Sequence, residues 1–97
     1  MLGREFNERI AAGEFDGLRK EKIRDEEMRR VGLENDWELS HIVPESKAHP
    51  SNKGKENHAC NLMVLPWWEN RKIRATVVTK GMLDYYHRGK PGCIILM

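Results

Sequence analysis

The stretch Leu39–Lys47, LSHIVPESK, sets a histidine inside a short apolar run that stops at a proline and gives way to a polar loop. Trp37, Leu39, His41 and Val43 alternate with Glu38, Ser40 and Ile42. That two-residue period predicts a strand from Trp37 that ends at Pro44. A core would be content with another Val at position 41, and a solvent-facing site more often carries Lys or Glu. By itself such a histidine is an ordinary core or surface residue, so the neighbouring elements decide what it is for.

Downstream, residues 45–58 (ESKAHPSNKGKENH) are polar and interrupted by Pro50 and Gly54, which predicts a loop. The run NLMVL, residues 61–65, predicts a second strand opened by Asn61. Pro66 suits the first turn of a helix, and WWENRKIRA predicts that helix, with Asn70 about one turn in. Strand, loop, strand, helix is an order that can bring His41, Asn61 and Asn70 to one cleft, given antiparallel strands with the helix packed across them. Asparagine inside a helix is locally unfavourable because its side chain competes with the backbone. Its presence at position 70 therefore asks for a functional reason.

Upstream, Phe6 and Ile10 lie four apart, predicting a helix over residues 3–12 that stops at Gly13. Asp16 is placed to cap a second helix over residues 17–31, ending at Gly32. Its apolar positions are sparse and its Arg, Lys and Glu residues are three and four apart, as on an exposed helix. This helical region, residues 1–35, reads as a packing lid or a partner-binding helix. At the other end, Thr79 is placed to cap a last helix through MLDYYHR, and CIILM reads as an edge strand or an interface element.

The 97 residues, 39% hydrophobic and 33% charged, fit one globular α+β domain covering residues 1–97, with its core at 37–75. No apolar run approaches the ~20 residues that span a bilayer. The N-terminus is charged almost at once, so a cytoplasmic protein with no membrane partner is expected. Two cysteines, Cys60 and Cys93, exclude a zinc knuckle built from Cys alone, and in a reducing compartment no structural disulfide is expected. Charge is uneven: residues 1–40 carry 8 Lys/Arg against 11 Asp/Glu, and residues 41–97 carry 9 against 4. The basic half suits a polyanionic partner, although a solvated face accounts for such an excess equally well.

The combination SHIVPESK…CNLMVLPWWENRKIRA resembles the HNH, or His-Me finger, endonucleases. The matching steps are HIVP at 41–44, NL at 61–62 and ENRK at 69–72, within residues 37–75. Asn61 and Asn70 are nine positions apart, the spacing expected of the family's His-Asn-Asn branch. The resemblance implies a small ββα-metal core, here with N-terminal helices and a C-terminal helix. It implies hydrolysis of nucleic-acid phosphodiesters, of DNA foremost, with one divalent cation, Mg²⁺ or else Mn²⁺. His41 would then be the general base, and Asn61 would orient it or tie the loop to the strand. Asn70 would be the metal ligand, and Arg71, Lys72 and Arg74 would hold substrate phosphates. Cleavage would leave 5′-phosphate and 3′-hydroxyl ends. Trp67 and Trp68 read as core and cleft wall, with base stacking by one of them as the lesser alternative. A homodimer or larger assembly would supply any site specificity.

One departure is plain: most members carry Asp directly before the histidine, and this chain carries Ser40. Three explanations stand open. Asn70 and water hold the metal, or Glu38, three residues before His41, reaches in, or the metal and the activity are lost. The rival functions are a non-cleaving nucleic-acid-binding module and a protein-interaction domain.

Overall fold

The computed structural model describes residues 3–42 and 57–73. Within them lie helix α1 (Gly3–Ala11), a second helix and strand β1 (Trp37–His41), then a 3-10 turn (Ala59–Asn61), strand β2 (Leu62–Pro66) and helix α3 (Trp67–Ile73). The second helix, α2, begins as one α-helical turn, Lys20–Lys22, and continues as a π-helical segment, Ile23–Met28. The result is a small α+β arrangement in which helices cover a two-stranded antiparallel sheet.

Two glycines end the first two helices in the same way. Gly13 (φ 86°) and Gly32 (φ 75°) take the left-handed conformation that costs a residue with a Cβ. In each case the next residue reaches back: Glu14 N–H donates to the Arg9 carbonyl at 3.2 Å, and Leu33 N–H to the Met28 carbonyl at 3.0 Å. Each glycine N–H also donates three residues back, to Ile10 and Arg29 respectively, so carbonyls that a helix end would orphan are satisfied. Leu33 and Met28 are both buried in the core, adding the apolar contact that accompanies this cap.

The second helix departs from expectation at its start. Asp16 does not cap it; Arg19 occupies the N-cap position and offers no side-chain hydrogen bond. Asp16 and Leu18 N–H groups instead bond to the Gly13 and Phe15 carbonyls, and Gly17 is left-handed at φ 85°. Two successive turns thus consume residues 13–18 before a helix can begin.

The strands pair in the register Trp37↔Pro66 through His41↔Leu62, with Ile42 N–H donating to the Asn61 carbonyl at 2.7 Å as the next rung. On one side, Leu62 and Val64, with Trp37 and Leu39 packed against them, meet Phe6, Ile10, Phe15, Ile23, Met28 and Leu33. Each such buried side chain contributes about 1.5–3 kcal/mol. Phe6 and Phe15 stack with centroids 5.0 Å apart, and the Arg9 guanidinium lies over Phe15 at 5.0 Å. Met63 and Leu65, fully buried, point to the opposite side by the strand's alternation. α3 packs against both strands.

Asn7 joins α1 to the sheet. In this register the Val64 N–H and C=O face away from β1, and they would be orphaned in the core. The buried Asn7 carboxamide takes both: Val64 N–H donates to its Oδ1 at 2.7 Å, and its Nδ2 donates to the Val64 carbonyl at 3.0 Å. One side chain thereby completes the outer edge of β2.

Three boundaries shift from the sequence expectation. Asn61 closes the 3-10 turn rather than opening the strand, because its N–H is committed to the His58 carbonyl at 2.8 Å. Pro66 is the last residue of β2, and the helix begins at Trp67, whose N–H donates to the Asp36 carbonyl at 3.0 Å. β1 ends at His41, with Ile42 in a bend. Cys60 is disulfide-bonded, against the expectation of free thiols; the chain's other cysteine, Cys93, lies outside the described residues. The expected C-terminal helix and the CIILM tail also lie outside them. Among the described residues no helix is long and apolar enough to cross a membrane.

Candidate functional site

The polar residues singled out in the sequence gather as two pairs on and around β1. The first joins helix to strand: Asn70 Nδ2 donates to Glu38 Oε1 at 2.9 Å in a partly buried position. Asn70 reaches β1 because it precedes the buried Ile73 by three residues on α3, which sets the two toward the same side of the helix. Glu38 is therefore the carboxylate beside Asn70. Ser40, at the position where the resembling family carries its acid, is buried, and its hydroxyl lies 3.4 Å from the His41 carbonyl.

The second pair lies at the end of the strand. His41 Nε2 is 2.7 Å from Asn57 Oδ1. With Oδ1 accepting, the ring proton sits on Nε2, and Nδ1 is left as the nitrogen that can take a proton. The sequence reading missed Asn57, which sits unremarked in a polar loop; its only signal was its place four residues before Asn61.

These pairs are not hydrogen-bonded to each other. His41 and Glu38 are three residues apart, roughly 10 Å along an extended strand and on alternate sides of it. Asn61 is fully buried one rung beyond His41, and its main chain ties the 3-10 turn to the end of β1. Arg71 and Lys72 are exposed on α3; Arg74 lies outside the described residues. Lys72 Nζ approaches Glu69 Oε1 at 3.7 Å, an exposed pair of small energetic weight.

Trp67 and Trp68 are not core. They are 42% and 46% exposed, set edge to face with centroids 5.6 Å apart, and the Arg71 guanidinium lies 5.1 Å over the Trp67 ring. The burial at this end is supplied by Asn70 and Ile73 instead.

A cleft of about 410 Å³ opens between the π-helical segment and β1, and Glu38 and Asn70 line it together with Trp37, Arg24, Arg29 and Glu34. The π-helical segment thus faces the site, where the sequence suggests a packing lid or a partner-binding helix. On its exposed surface Asp25 is held below the usual carboxylate range, chiefly by its hydrogen bond from Arg24 at 2.9 Å.

The donor set suits a hard cation. With Nδ2 given to Glu38, the Asn70 Oδ1 and the second Glu38 oxygen remain as oxygen ligands. Among the described residues no group of three or more His, Cys, Asp or Glu converges on such a point. A cation held here would keep most of its waters, as Mg²⁺ does. No family model matches this chain, and no curated protein or solved structure is significantly similar to it.

Proposed function

We propose that this protein is a metal-dependent endonuclease of the HNH type, hydrolysing phosphodiester bonds in nucleic acid, DNA foremost. The observation that carries the reading is the Glu38–Asn70 hydrogen bond. It joins helix α3 to the strand that bears His41, within an antiparallel strand pair and helix like those of a ββα-metal core. Glu38 and Asn70 would hold one divalent cation, Mg²⁺ or Mn²⁺, which when bound neutralises charge on a phosphate. His41, held at Nε2 by Asn57, offers Nδ1 as a proton acceptor at the end of the same strand, across it from the Glu38–Asn70 pair. Arg71 and Lys72 offer positive charge to flanking phosphates, which makes binding fall with salt.

A second reading has its own support. Asn70 and Glu38 already satisfy each other, and His41 leaves the other side of the strand, so the same scaffold could grip nucleic acid without turnover. Purified protein and supercoiled plasmid, with Mg²⁺ or Mn²⁺ and then with EDTA, separate the two. The nuclease reading expects metal-dependent nicking that His41→Ala removes. Equal cleavage by wild type and His41→Ala would overturn it, as would none with any metal.

A further inference from the structure

We propose that the outer face of α3 is a stacking platform for unpaired nucleobases, so that the substrate is engaged as a single strand. This rests on the nuclease reading for its setting but on separate observations for its content. At about 100° per residue, Trp67, Arg71, Trp68 and Lys72 follow one another around the helix as a contiguous arc of about 140°. Every one of those four side chains is exposed, while Ile73 is buried on the other side. Exposing two adjacent tryptophans forfeits apolar burial that the protein uses elsewhere; they pack edge to face, and Arg71 lies over one side of the Trp67 ring.

The charge around the rings selects the ligand. Arg71 lies over Trp67, and Lys72 follows Trp68 by four residues on the same exposed face, so an apolar partner segment would bring its surface against two cations. A nucleic-acid strand brings phosphates to those cations and flat, apolar base faces to the indoles. In a duplex the base faces are stacked on one another and unavailable to a side chain, so the platform favours unpaired bases. Asn70, next to Trp67 on the inner flank of the same arc, places the platform beside the proposed cleavage site.

The test is fluorescence anisotropy with the full chain in EDTA, using a labelled twelve-nucleotide oligothymidylate and a mixed-sequence duplex of equal length. The single strand is expected to bind at least about tenfold more tightly than the duplex and to quench tryptophan emission. Trp68→Ala should weaken single-strand binding by about tenfold, with Trp68→Phe recovering most of it. Circular dichroism melts establish that each variant is folded; the quench in wild type stands even where one is not. Duplex binding as tight as single-strand binding, or Trp68→Ala binding unchanged, would overturn the proposal. So would a dimer that Trp68→Ala dissolves, in a protein that binds no oligonucleotide. Loss of plasmid nicking with this binding intact would count against the nuclease reading alone, and nicking with an inert platform against the platform alone.

Discussion

The Asn70 carboxamide donates to Glu38 Oε1 at 2.9 Å, so this hydrogen bond, with the burial of Ile73, orients α3 about its axis relative to β1. An amide on a helix seven residues long and a carboxylate on a five-residue strand are held in one geometry by each other. Removing either one leaves a partly buried polar group without its partner.

A double-mutant cycle with Glu38→Ala and Asn70→Ala should therefore return a coupling of about 1 kcal/mol in urea unfolding. Asn70→Ala should also reduce metal-dependent plasmid nicking by about a hundredfold. Additive stability effects would show that the bond carries no weight in solution.

His41 should matter for activity and little for stability. It is half-buried and, among the described residues, its ring bonds only to Asn57, so His41→Ala should shift unfolding by about 0.5 kcal/mol. Nicking should fall by about 10²–10⁴-fold, the range of a lost general base. Asn57→Ala, which leaves the imidazole in place but unanchored, should cost less.

Asn7→Ala should be among the most damaging substitutions. It removes two buried hydrogen bonds and leaves the Val64 N–H and C=O with nothing to replace them, a loss of about 2–4 kcal/mol in urea unfolding.

At Gly3, any Cβ would fall inside the Trp37 ring, against its six-membered edge. Gly3→Ala should cost about 1–3 kcal/mol as the indole is displaced. A red shift in tryptophan emission would accompany the lowered melting temperature.

Asp25 gives a pH signature. Its folded carboxyl is depressed, first by the Arg24 hydrogen bond, so its contribution is present above the ordinary carboxylate value and is lost as pH falls through the folded value. Carboxyl-carbon NMR should show Asp25 titrating below the usual Asp range, and Arg24→Ala should return the midpoint upward. Because both side chains are exposed, added salt should have the same effect.

Much of this architecture was legible in the sequence because it rests on local rules. Gly13 and Gly32 stop helices where they stand in the chain, and the two-residue period of WELSH marks its strand. What was hidden depends on tertiary placement. Asn7 looks like any polar residue on an amphipathic helix until a strand edge with unpaired groups lies against it. The sequence places Trp67 and Trp68 in the core and the cleft wall, yet the helix rotation set by Asn70 and Ile73 leaves both exposed. Asn61 was read as a strand opener because the pattern of NLMVL begins there, and the 3-10 turn that claims it depends on His58, whose Nδ1 accepts from Cys60 N–H at 3.3 Å. His41, Asn61 and Asn70 stand out in the sequence through their joint spacing, but which partner each meets is set by strand alternation and loop closure together.

The carboxamide of Asn7 makes α1 a working member of the sheet rather than a cover over it. Peeling the first helix from the body would strip Val64 of both its partners, so detachment of α1 and unzipping of β2 become one event. A protease should consequently reach Gly3–Ala11 only in molecules that have lost their strands as well.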